Sequence, residues 1–256
     1  MSTTALLLTL IFVFIPIILS KTLGLQLEKD TVIATVRSTV QLLLVGFVLK
    51  FVFDSESYLF IFLMVSLMIG AAVQNARKKG QQIKGITWKL IVTYVLLEVL
   101  TQGILLGFKI VPATAQYIIS LTGMVIGNSM VLSILFLNRF VAEVETHRSE
   151  SELILSLGGT PKQAIHRQLI RSIQASMIPT IESQKTIGLV QLPGMMSGQI
   201  IAGADPLEAV QFQILVVFLL LTTAALTSVC LGLLSYPTLF NERMQMIQRG
   251  NDSSDE

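Results

Sequence analysis

Several side chains able to do chemistry lie inside apolar sequence in this 256-residue chain. Glu98 sits about ten residues into the run 88–108, which as a helix rising about 1.5 Å per residue puts it near mid-bilayer. An ionisable group there costs at least about 2.5 kcal/mol and must face a cavity or a partner. Gln102 lies one turn on and shares its face. Arg37 and Gln41 repeat that spacing in the run 31–53. Glu182 and Lys185 fall near the expected cytoplasmic start of the run 178–202. Asn128 and Met130 follow the Gly123/Gly127 pair, and Met195 and Met196 follow Pro193. Two roles fit these groups. One is a polar translocation path through Glu98, Gln102, Asn128, Met130, Glu182, Met195 and Met196. The other is a set of structural ion pairs, in which Arg37 or Lys185 meets an acid such as Glu98 or Glu182 and fixes helix registry. Glu98 is the group suited to a hard metal cation. The methionines suit a soft ion such as Cu(I), although methionine more often fills gaps in packing.

A second kind of chemistry is mechanical. Residues 151–172 read as soluble helix between apolar runs: Glu152, then Gly158, Gly159, Thr160 and Pro161. A glycine pair lets the chain turn sharply because Gly reaches positive φ at little cost. Thr160 is then the expected N-cap and Pro161 the first residue of a new helix. The pattern resembles the EAA-type coupling motif of ABC-transporter permeases, in which a short cytoplasmic helix docks on an ATPase subunit. The chain departs from that motif at Leu153-Ile154, where the motif has Ala-Ala, and at Leu169-Ile170, where the motif has Leu-Pro and this chain goes on to Arg171. Without the resemblance the segment reads as an ordinary helix–glycine–helix turn.

Composition sets the class. Apolar residues make up 52% of the chain and charged residues 13%, against about 25% charged in soluble domains, and the mean hydropathy is +0.73. An integral membrane protein follows. The net charge of +2 comes from basic residues that fringe apolar runs, which argues against nucleic-acid binding. One cysteine, Cys230, excludes an intramolecular disulfide and a Cys-based metal site. No phosphate loop of the Gly-x-x-x-x-Gly-Lys-Ser/Thr type occurs, and no nucleophile–base set points to an enzyme. ATP and magnesium chemistry is expected in a partner, with no cofactor in this chain.

A crossing helix needs about 20 apolar residues. Seven runs qualify: 4–20, 31–53, 58–73, 88–108, 112–137, 178–202 and 209–236. The first lacks a basic leader and is read as a retained span. The sixth holds Glu182, Lys185, Pro193 and several glycines, which leaves open whether it is continuous, broken or re-entrant. Basic residues gather at Arg77–Lys89 and across 138–177, whereas the connections at Asp54/Glu56 and Asp205/Glu208 are acidic. The positive-inside rule then puts the N-terminus outside and the C-terminus inside. The expectation is an all-α polytopic protein of about seven spans. It forms a single permease domain over 1–256, with a cytoplasmic coupling segment at about 138–177 and a frayed polar tail over 237–256.

More specific strings carry a family resemblance. TIESQKTIGLVQLPGMMSGQIIAGADPLEAVQFQI from Thr180, GMVIGNSM from Gly123, LGGTPKQA from Leu157 and LEKD from Leu27 occur in order along nearly the whole chain. Together they are similar to the FetB-type permeases, the UPF0014 family. That resemblance implies an ABC-type permease in a bacterial cytoplasmic membrane, working as a homodimer with a separate FetA-like ATPase. It also implies export of iron, another metal ion or a metal-linked solute. The reading kept beside it is a secondary transporter or channel that uses Glu98 as an ion or proton site.

Overall fold

The computed structural model describes residues 11–55, 57–241 and 243–247. The chain divides into two units, Met1–Ser57 and Tyr58–Glu256.

The described part of the first unit is a helical hairpin of α1 (Ile11–Leu23) and α2 (Glu28–Ser55). Ser20 closes its turn. Its buried hydroxyl donates to Glu28 Oε1 at 2.8 Å and accepts from the Leu27 N–H at 3.0 Å. The threonines of α2 donate back to carbonyls one turn earlier, so they add no unpaired polar group to an apolar helix. Leu42, Phe47 and Phe51 stand exposed on α2, as suits a helix facing acyl chains.

The second unit contains α3 (Tyr58–Arg77), α4 (Ile86–Gly107), α5 (Ala115–Thr146), α6 (Arg148–Ser156), α7 (Pro161–Thr186), α8 (Gly194–Ile201) and α9 (Pro206–Ser235), followed by a 3-10 turn, Tyr236–Leu239. Helix α5 is the axis on which α3, α7 and α9 pack. Around it Tyr94, Leu97, Leu121, Val125, Phe136, Phe140, Ile165 and Leu231 form one buried core. Small residues bring α7 close to α9: a Cβ on Gly232 would lie 2.7 Å from Leu169 Cδ1 and 3.3 Å from Phe136 Cζ.

Among the described residues five helices are long and apolar enough to cross a membrane: α2, α3, α4, α5 and α9 with its 3-10 extension. They match the second, third, fourth, fifth and seventh expected runs. Of the first run, the described part is the 13-residue α1, and the remainder lies outside the described residues. The sixth run is not one helix. It is the end of α7, a turn over 187–193, and α8. Gly188 takes φ 88° there, and the Thr186 carbonyl accepts from the N–H groups of Leu189, Val190 and Gln191. Pro193, with no N–H to donate, starts α8 as its N-cap.

The segment 138–177 is formed by the end of α5, α6 and the first part of α7. Helix α5 continues to Thr146 with Phe140 and Val144 buried, and α7 runs unbroken from Pro161. Glu182 and Lys185 therefore lie near the C-terminal end of a 26-residue helix rather than at the start of one. The tail is also ordered beyond Tyr236. Lys89 Nζ donates to Thr238 at 2.7 Å, Ile247 N–H donates to the Leu239 carbonyl at 3.0 Å, and Met246 packs on the core. The remainder of the tail, 248–256, lies outside the described residues.

Candidate functional site

Three polar assemblies stand out in the second unit. The first surrounds Glu98. The Thr122 hydroxyl donates to Glu98 Oε1 and accepts from Gln102 Nε2 at 3.0 Å, while the same amide nitrogen reaches the Ile118 carbonyl at 3.3 Å. Glu98 is 8% exposed. Glu98 Oε2 and Gln102 Oε1 are buried without a hydrogen-bond partner among the described residues. The Thr122 hydroxyl of α5 thus ties that helix to two polar side chains of α4, the Glu98 carboxyl and the Gln102 amide. Thr122→Val, which keeps the shape and removes the hydroxyl, should lower thermal stability in detergent by about 1–2 kcal/mol. An unchanged melting temperature would show the cluster to be passive.

The second assembly is a cavity of about 330 Å³ among α5, α7, α9 and the 187–193 turn. Asn128, Thr180, Ser183, Gln184, Gln191 and Gln213 give it its polar lining. Asn128 Nδ2 donates to the Leu220 carbonyl and to Thr223, both at 3.4 Å, and Gln184 Nε2 donates to the Val217 carbonyl at 3.0 Å. Gln213, 7% exposed, keeps Oε1 unpaired among the described residues. Of these six only Asn128 was expected from sequence. The glutamines were visible as amides inside apolar runs, but no spacing linked them.

The third is the α6–α7 hairpin. Gly158 takes φ 85°, and Gly159 N–H closes on the Ile154 carbonyl at 2.9 Å. Thr160 caps α7 through a reciprocal capping box with Gln163, and Pro161 opens it. The hairpin is tied to α5 by Glu143, whose side chain is 6% exposed. Arg139 meets it at 2.5 Å, His147 at 3.4 Å and Arg171 at 3.6 Å. Buried Ser151 donates to the Ala164 carbonyl at 2.9 Å and accepts from Gln168 at 3.1 Å. Glu152 lies outside this knot, paired with Arg148 at 2.8 Å.

The other expected site residues are spread out. Met130 and Met195 pack half-buried against the core, and Met196 is half-buried on α8. Lys185 pairs with Glu182 at 2.7 Å, with both side chains exposed. Glu98 takes hydroxyl and amide partners, and Arg37 stands exposed on α2. Among the described residues no three His, Cys, Asp or Glu side chains converge as a metal-binding group.

The model of the uncharacterised protein family UPF0014 matches residues 3–240. The chain belongs to the UPF0014 family. It is 54% identical over 241 residues to the UPF0014 membrane protein YjkA of Bacillus subtilis, covering 94% of this chain and 96% of that one. It is 37% identical over 244 residues to the probable iron export permease protein FetB of Escherichia coli, covering 94% and 93%. The Arabidopsis thaliana protein ALUMINUM SENSITIVE 3 is 31% identical over 237 residues, covering 93% and 87%. No solved structure matches the chain. Apolar helices and family membership together make this UPF0014 chain an integral, multi-pass membrane protein.

Proposed function

We propose that this UPF0014 chain is the permease subunit of an ABC transporter in a bacterial cytoplasmic membrane. Two copies would work with a separate ATPase to export iron, another metal ion or a metal-linked solute. The observation that carries the reading is the tip of the α6–α7 hairpin. Leu153 and Leu157 stand 60% and 79% exposed there, on a turn fixed by two glycines and a capping box. Neighbouring exposed leucines on a rigid hairpin offer an apolar patch for a protein partner to cover. The basic residues gathered at this end of the bundle favour the cytoplasmic side, where ATP is found. Kinship with a relative named as a probable iron export permease supports the cargo class. On this reading Glu152, Gly158, Gly159, Thr160 and Pro161 shape the coupling element. The amide-lined cavity with Asn128 and the Glu98–Gln102 pair lie along the path, and the metal is cargo rather than a resident cofactor.

Leu157→Asp tests the coupling role without disturbing the core. Co-purification with the ATPase should be lost while the melting temperature holds. Retained capture would remove the hairpin from the interface. Buried Glu98, with one oxygen unpaired among the described residues, favours a second reading, a gradient-driven transporter. Proteoliposomes containing this chain alone and a metal or proton gradient distinguish the two. The ABC reading expects flux of Fe(II) only with ATPase and ATP, and flux without them supports the alternative.

A further inference from the structure

Every side chain that lines the amide cavity is uncharged. Its lining residues include no carboxylate, imidazole, thiol or thioether. A bare transition-metal ion therefore finds none of the side chains that hold one strongly. What the cavity offers instead is amide oxygen. Asn128 Nδ2 donates to the Leu220 carbonyl and Gln184 Nε2 to the Val217 carbonyl, so two backbone oxygens of α9 fix which end of each amide is nitrogen. Among the described residues, every side-chain hydrogen bond of these two amides leaves from that nitrogen, and the oxygens are left over. Gln213 supplies a third oxygen, buried and without a partner among the described residues. An acceptor left unmet inside apolar surroundings works against stability. Packing gives no reason for it, whereas a ligand that donates hydrogen bonds does.

Size and walls narrow the choice of donor. At roughly 30 Å³ per water molecule, the cavity of about 330 Å³ has room for a cation inside a shell of about six waters. Such waters turn their oxygens to the metal and their hydrogens outward, so the shell presents donors to a set of acceptors. The rest of the wall is aliphatic, with Val131, Leu132, Leu135 and Val217 among its residues. It adds no strong hold, which suits a cargo that must leave again.

We infer that the amide cavity takes a divalent cation with its water shell intact. Asn128, Gln184 and Gln213 hold the shell, and no bond to the metal forms there. The inference rests on the metal-exporter reading and adds to it the form in which the cargo is held.

Hexaamminecobalt(III) tests this, because its ammine ligands donate hydrogen bonds and do not exchange for protein ligands. With the full chain in nanodiscs of zwitterionic lipid, calorimetry should show Mn(II) binding and its displacement by the cobalt complex. Gln213→Leu should weaken the binding of both by about tenfold or more. Because it removes an unmet acceptor, its melting temperature without cation should equal or exceed that of the parent. Gln174→Leu, on an exposed part of α7 outside the cavity, should bind like the parent. Mn(II) that the cobalt complex cannot displace is held by direct bonds to the metal, which overturns the inference. Parental binding of both cations by Gln213→Leu overturns it too, as does a chain that binds neither cation and still captures the ATPase. In those cases the permease reading stands. The expected binding by a chain that captures no ATPase would count against the permease reading and leave the hydrated-cation site in place.

Discussion

On the proposed permease reading, replacing Gly159 by alanine should uncouple the hairpin from an ATPase partner. A Cβ at that position would stand 2.5 Å from Ile154 Cγ2 and 2.7 Å from the Ile154 carbonyl oxygen. The methyl group can turn aside, but the carbonyl cannot, because it closes the helix by accepting from Gly159 itself. The turn must open, and Leu157 leaves its place. An affinity loss of tenfold or more is expected, which is about 1.4 kcal/mol. Gly158→Ala should be milder. Its Cβ meets nothing within 4 Å, and it pays only for a left-handed backbone, about 1–2 kcal/mol. Equilibrium binding of ATPase to the detergent-solubilised variants measures both effects. Hydrogen exchange over α6 and the turn should rise for Gly159→Ala while the α4 and α5 cores remain protected. Equal affinities for the two variants would mean that the turn geometry is not what the partner reads.

The second large effect is expected at Glu143. This carboxylate joins three elements, since Arg139 belongs to α5, His147 sits between α5 and α6, and Arg171 belongs to α7. Its side chain is 6% exposed, but those of Arg139 and Arg171 are 54% and 38% exposed. Loss of a fully buried pair costs about 3–5 kcal/mol. Solvent screening at the arginines brings the expectation down to about 2 kcal/mol for Glu143→Ala. Glu143→Gln, which can still accept hydrogen bonds, should fall between. Differential scanning fluorimetry in one detergent orders the three proteins. Should Glu143→Ala melt with its parent, the hairpin would owe its position to Ser151, Gln168 and apolar contacts instead.

The sequence was most readable where local rules act alone. Thr160 and Pro161 begin α7 because a hydroxyl cap and a fixed φ need no tertiary help. The runs that became α2, α3, α4, α5 and α9 were visible because each is apolar over a membrane's width. Helix α7 was split in two because Arg167, Arg171 and Gln174 dilute its hydropathy. It packs against the bundle all the same, because Ser172 and Ser176 satisfy their hydroxyls within reach of α7 and α9. Hydropathy counts such serines as polar, while packing treats them as small. The cavity amides were hidden for a different reason. Asn128, Gln184, Gln191 and Gln213 come from different elements, and only the turn after Thr186 brings Gln191 back to the others. The ordered start of the tail carries no local signal, because its anchors, Thr238 and Met246, answer to Lys89 and to a core assembled far away in sequence.

The seam between α7 and α9 has a mechanical consequence. Ser172, Thr227 and Ser228 each donate to a carbonyl of their own helix. Among the described residues, the hydrogen bonds that cross from α7 to α9 are Ser176 with Ser228 and Gln184 with the Val217 carbonyl. With short side chains and inward-turned hydroxyls, one helix can slip along the other at the cost of those two bonds and of lifting Leu169 off Gly232. Packed helices that slide in this way produce shear rather than hinge motion. A push on the α6–α7 hairpin would then travel along α7 as a piston stroke and arrive at the wall of the amide-lined cavity.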